Sequence, residues 1–207
     1  MARPALTFRR LSGLDRSGPP PPETQAGAPL RPWTIPNAIG YLRAAGLVAF
    51  LVLALDSPHG TDTLPVVLYG VITWGDYADG IAARVTGQYS RLGTILDPVL
   101  DRAIVLAGAL VCWNFDLLPR WALAVLAARE AFMLVAGQAA VRRGVELKVN
   151  WAGRWAVWPT FSAIFFALAN VADLPEVLLY VGLSLTMFAT AMYVRDGVRQ
   201  LRAASSG

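Results

Sequence analysis

Six apolar stretches, each close to the roughly 20 residues that a helix needs to cross a bilayer, leave this chain few folds to adopt. They cover about residues 38–55, 64–85, 94–115, 119–141, 155–171 and 175–193, the last continuing towards 201. Backbone amides in hydrocarbon must be satisfied within the spanning segment, so stretches of this length are read as helices. The expected fold class is all-α and integral to a membrane: a six-transmembrane-helix bundle. Composition agrees, with 56% of the 207 residues hydrophobic and only 15% charged, far more apolar than an ordinary soluble domain.

Charge sets the expected orientation. The loops after the first, third and fifth stretches (residues 56–63, 114–118 and 170–176) contain no Lys or Arg. Basic residues gather in the N-terminal arm, the 86–93 turn, the 142–154 loop and the C-terminal tail. Cytoplasmic loops carry that excess, so both termini are expected in the cytoplasm of a multi-pass cell-membrane protein. The net charge of +4 then reflects topology and anionic lipid rather than nucleic acid.

Two domains of behaviour are expected along the chain. Residues 1–30 are basic and then proline-rich (SGPPPPETQAGAP), which cannot bury a core and reads as a disordered cytoplasmic arm. No apolar run follows Met1, so the arm is not read as a signal peptide. Residues 31–202 form the membrane domain. Trp33 and Ile35 suit the interface, Pro36 interrupts the chain, and Asn37 stands where an N-cap is expected. Trp151, Trp155 and Trp158 suit an interfacial belt. The single Cys112 excludes an intrachain disulfide and a cysteine zinc cluster, and His59, the one histidine, excludes a histidine triad.

Within this apolar chain the stretch DYADGIAARVTGQYSRLGTILDPVLD places Asp76, Asp79, Asp97 and Asp101 inside 26 residues. A carboxylate at the centre of a membrane helix costs roughly 2.5–3.5 kcal/mol on insertion scales, so four need a shared cation or a water-filled cavity. The first pair is expected roughly 9–14 Å above the inner end of its helix and the second roughly 5–10 Å above its own. Spacings of i,i+3 and i,i+4 put each pair on one helix face. A short connection makes the two helices antiparallel neighbours, so the four acids can converge. Gly80 and Ala83 leave the Asp76/Asp79 face without bulk, Arg84 and Arg91 bring positive charge to the mouth, and Pro98 is expected in the first turn of its helix.

Clustered oxygen donors without nearby His or Cys suit a hard cation such as Mg²⁺ or Mn²⁺. Two such ions beside arginines make a site for a diphosphate, where a carboxylate at the edge could deprotonate an incoming hydroxyl. A cation transporter is the rival from another class. Against it, the acids cluster in the cytoplasmic half, with no counterpart in the outer half.

The pattern Asp76-x2-Asp79-Gly80-x2-Ala83-Arg84-x8-Gly93-x3-Asp97-x3-Asp101 resembles the signature of the CDP-alcohol phosphatidyltransferases at every fixed position. The resemblance covers about residues 33–200. It implies transfer of a phosphatidyl group from CDP-diacylglycerol to an acceptor hydroxyl, with release of CMP. By motif position, Asp76, Asp79, Asp97 and Asp101 would hold two Mg²⁺ or Mn²⁺ ions, with Asp101 also the general base. Asn37, Gly80, Ala83, Arg84 and Ser90 would line the CDP-donor site. The resemblance alone suggests a homodimer.

For the acceptor, TIPNAIGYLR, SRLGTILDPVLDR, Arg129-Glu130 and Gly153-Arg154 are most similar to the bacterial phosphatidylglycerophosphate synthase and cardiolipin synthase branch. Arg154 replaces that branch's lysine, and Trp155-Ala156-Val157 stands where it has Lys-Thr. Glycerol 3-phosphate is the first acceptor this implies, phosphatidylglycerol the second, and an inositol phosphate a further alternative. Arg143, Arg154 and Arg195 are the candidate contacts for an anionic acceptor.

Overall fold

A computed structural model describes residues 21–25, 27–142 and 151–205. Among them are a 3₁₀ turn at Pro22–Thr24 and six α-helices: α1 (Ile35–Asp56), α2 (Thr63–Thr86), α3 (Arg91–Asn114), α4 (Arg120–Arg142), α5 (Trp151–Leu168) and α6 (Leu174–Ser205). Each expected apolar stretch lies within or largely within one helix. The helix starts differ from the expected ones for local reasons.

Helix α3 begins at Arg91 because Ser90 caps it, its Oγ accepting a hydrogen bond from the Gly93 amide at 2.9 Å. Pro98 therefore sits inside the helix and not in its first turn, where its missing N–H deprives the Thr94 carbonyl of its usual partner. Helix α1 starts earlier as well. Thr34 Oγ1 accepts from the Asn37 amide at 3.3 Å, which makes Thr34 the cap and puts Asn37 in the first turn. Pro36 fits there because first-turn amides have no helical acceptor.

Helix α1 and the Leu174–Gln200 part of α6 are long and apolar enough to cross a membrane by length and composition. Large apolar side chains on α1, among them Leu42, Val48, Val52 and Leu55, are exposed. An outward apolar face of this kind is what lipid, not water, would cover.

The chain divides into two compact units, one of Met1–Leu53 with Val67–Ile104, the other of Ala54–Val66 with Val105–Gly207. In the first, α1 is antiparallel to α2: Arg43 meets Asp79 and Gly46 meets Ile72, while Phe50 stacks obliquely on Tyr69. The same helix runs parallel to α3, with Asn37 beside Gly93, Gly40 against Leu96, and Arg43 on Asp101. Leu47, Phe50, Tyr69, Ile72, Leu100 and Ile104 form its buried apolar core.

In the second unit α6 packs on α4 and α5. Helices α5 and α6 approach to backbone distance, because a Cβ on Gly182 would stand 2.5 Å from Thr160 Oγ1 and 3.0 Å from its amide nitrogen. Arg129 of α4 is held by Glu130 and by Thr190 Oγ1, which accepts from its Nε at 3.1 Å. Cys112 is buried and reduced, and His59 is exposed.

Candidate active site

All four aspartates lie in the first unit, where α2 and α3 present them towards α1. By helical rise, Asp76 and Asp79 stand roughly 10–15 Å from the end of α2, and Asp97 and Asp101 roughly 9–15 Å from the start of α3. What gathers three of them is Arg43, an α1 residue that the sequence reading left without a role. Its Nη1 lies 3.0 Å from Asp79 Oδ2 and 3.4 Å from Asp76 Oδ1, and its Nη2 lies 2.9 Å from Asp101 Oδ1. Its Nε donates to the Ile72 carbonyl of α2 at 3.0 Å.

The Arg43 side chain is only 3% exposed, against 50% for Asp76, 6% for Asp79 and 40% for Asp101. The guanidinium is thus inside the unit, while two of its partners reach its surface. Gly75 makes this possible: a Cβ there would stand 2.8 Å from both Cγ and Cδ of Arg43. The signal for Arg43 was present in the sequence, since a charge within an apolar helix requires a partner at its own depth.

A pocket opens beside the cluster. It is lined by one acid from each pair, Asp79 and Asp97, and by Asn37, Gly80, Ala83, Ser90 and Gly93. Four of the five expected donor-site residues therefore meet on one cavity. Arg84, the fifth, is placed over Gly80, its Nη2 standing 3.3 Å from where a Cβ of that residue would be. Its Nε is buried with no hydrogen-bond partner among the described residues, where most buried donors are paired.

Two of the lining residues, Asn37 and Ser90, are buried. Asn37 Oδ1 accepts from Ser90 Oγ at 2.9 Å, and its Nδ2 donates to the carbonyls of Arg31 and Pro32 at 3.0 and 3.2 Å. This ties the starts of α1 and α3 to the segment before them. Part of the arm expected to lack structure belongs here too. Thr24 lines the pocket, and the carbonyls of Ala28 and Leu30 accept from Arg91 Nη1 and the Leu92 amide. Residues 1–20 lie outside the described residues. Thr24, Gln88, Tyr89 and Thr94 were not singled out from sequence, because nothing local marks a pocket wall.

Of the acceptor candidates, each taken by itself, Arg143 lies outside the described residues, and Arg154 falls in the first turn of α5. Arg195, in the second unit, is exposed and pairs with the adjacent Asp196 at 3.4 Å.

As to a metal, the donor set fits a hard divalent cation in kind, since it consists of carboxylates without sulfur or imidazole. In arrangement it is drawn towards Arg43. Among the described residues no three acidic, cysteine or histidine side chains close on one point as a ready-made metal site.

Comparison with known proteins adds a family to this geometry. The family model described as CDP-alcohol phosphatidyltransferase matches residues 33–188. The chain is 36% identical over 146 residues to a cardiolipin synthase (CMP-forming) of Streptomyces coelicolor, covering 68% of this chain and 66% of that protein. It is 32% identical over 127 residues to a putative cardiolipin synthase of Mycobacterium tuberculosis, covering 60% and 59%. It is 26% identical over 145 residues to a CDP-diacylglycerol–glycerol-3-phosphate 3-phosphatidyltransferase of Bacillus subtilis, covering 64% and 75%. The match thus spans about two thirds or less of the length of the first two relatives.

Proposed function

The chain belongs to the CDP-alcohol phosphatidyltransferase family, and from that premise we propose that it transfers a phosphatidyl group from CDP-diacylglycerol to a glycerol hydroxyl, releasing CMP. The observation that carries this reading is the meeting, in one unit, of the four aspartates with a pocket lined by Asp79, Asp97, Asn37, Gly80, Ala83 and Ser90. The buried, unpartnered Nε of Arg84 supplies a donor for the diphosphate.

The proposed work of each residue follows from its place. Asp76, Asp79, Asp97 and Asp101 would hold two divalent ions, which supply Lewis-acid charge neutralisation at the phosphate oxygens when bound. Gly80 and Ala83 give the donor room to approach α2. Asn37 and Ser90, bonded to each other, hold the pocket wall in shape. Asp101, the more exposed of Arg43's two close partners, takes the proton of the acceptor hydroxyl. The hydroxyl oxygen then bonds to the phosphatidyl phosphorus as the bond from that phosphorus to CMP breaks.

Between acceptors, phosphatidylglycerol moves ahead of glycerol 3-phosphate. The relatives at 36% and 32% identity carry the cardiolipin synthase name, and two named for glycerol 3-phosphate stand at 26% and 28%. The proposed setting is a six-span protein with both termini cytoplasmic, supported by the basic loops and by the outward apolar face of α1.

The test is CMP release from CDP-diacylglycerol by purified protein with Mg²⁺ or Mn²⁺, supplying each acceptor in turn and identifying the lipid formed. Turnover lost in EDTA and restored by added metal is expected, with cardiolipin as product. Phosphatidylglycerophosphate instead would reverse the order of acceptors. Cation flux in liposomes without any CMP release would sink the enzyme reading.

A further inference from the structure

We infer that Arg43 is the built-in counter-ion of the aspartate cluster, a positioning residue that holds the carboxylates when no divalent cation does and shares them when one binds. The inference rests on the divalent-metal reading of the site. Its physical basis is the placing of one guanidinium against three carboxylates from two helices.

Without a cation, Asp76, Asp79, Asp97 and Asp101 would press four like charges together in and near a low-dielectric interior. Arg43 answers this from a fixed position. Its Nε is tied to the Ile72 carbonyl, its stem packs over Gly75, and its two terminal nitrogens point at acids of α2 and α3. It takes one oxygen of each carboxylate it touches: Oδ1 of Asp76, Oδ2 of Asp79 and Oδ1 of Asp101. Asp97 receives no ion pair from it among the described contacts, and Asp97 lines the pocket. Asp97 and Asp79, the acids on the pocket, would thus be the first to hold a divalent ion, and Arg43 would then share Asp76, Asp79 and Asp101 with it. Lysine cannot replace this bracket, because an ammonium has no separate Nε donor and no fork.

A residue that only packed α1 against α2 would matter equally with or without metal. A counter-ion matters most when metal is absent, because added cations then do part of its work. The experiment is thermal unfolding of purified full-length protein in detergent, in EDTA and in saturating Mn²⁺, for wild type, Arg43→Gln, Arg43→Lys and Arg43→Gln/Asp101→Asn. In EDTA, Arg43→Gln should lower Tm by about 10 °C, the scale for leaving one buried acid, Asp79, unpaired in a chain of this size. In Mn²⁺ that deficit should fall by at least half. Arg43→Lys, which keeps the charge, should lose less in EDTA and show the same narrowing, and it carries the test if Arg43→Gln does not fold. The double variant, with one acid fewer, should recover part of the EDTA deficit.

A deficit of the same size in EDTA and Mn²⁺, or none at all, overturns the inference. CMP release by wild type separates the two readings. Turnover with an unchanged deficit refutes only the role of Arg43, whereas no metal-dependent turnover refutes the proposed function itself.

Discussion

At the scale of single residues, the site depends on how a few polar groups divide their bonds. Asp101 is within reach of Arg43 yet 40% exposed, the combination wanted of a base that meets an acceptor arriving from outside. Asp101→Asn keeps the shape and removes the base, so turnover should fall about 10²–10⁴-fold while CDP-diacylglycerol binding stays close to wild type. Steady-state CMP release beside equilibrium donor binding checks this, and near-normal turnover would remove Asp101 from the role. Ser90 carries a different load: its hydroxyl accepts from the Gly93 amide and donates to Asn37 Oδ1. Ser90→Ala should cost about 1 kcal/mol for the lost cap, seen as a Tm lower by about 2–4 °C. The four aspartates were readable from sequence because their spacing is local. That Arg43 needs a partner was readable as well, but not which acids it meets, because they lie more than thirty positions away, and only helix packing brings them to it.

For the helices, existence was plain in the sequence and detail was not. Apolar length named all six, since an apolar run of that size has no other way to satisfy its backbone. The starts of α1 and α3 depended on hydroxyl caps at Thr34 and Ser90, whereas the sequence pointed to Asn37 as the cap of α1. Close approach of helices was likewise hidden, because a glycine in a helix does not say which neighbour it faces. Gly182 faces Thr160, whose amide nitrogen and Cα would stand 3.0 and 3.2 Å from an added Cβ. Backbone atoms cannot swing aside, so Gly182→Val should push α6 off α5 and destabilise by about 1–3 kcal/mol. Thermal unfolding of that variant measures it, and an unchanged Tm would mean that the helices separate at little cost.

For the whole molecule, the proposed topology makes a prediction independent of catalysis. Cys112 is the one cysteine and is buried, so a single introduced thiol reports its own position. With six spans and cytoplasmic termini, His59→Cys in the loop after α1 should react with a membrane-impermeant maleimide added outside cells. Gln88→Cys, in the turn between α2 and α3, should react only once the membrane is opened. Both positions are exposed, so burial does not explain a missing signal. The reverse pattern would invert the orientation and place the pocket on the outer side.

The amino-acid sequence by itself determined the helical class, the order of the elements, the expected orientation and the four acids, together with the family they signal. Each of these is carried by short-range pattern: apolar length, loop charge, or spacing along one or two adjacent helices. Only the tertiary structure decided what surrounds the acids. It put the guanidinium of α1 among them, made room for it at Gly75, and built the pocket wall from separate residues between Thr24 and Asp97. Those choices depend on which faces of three helices meet, and contact between faces is a property of packing that no local run of residues encodes.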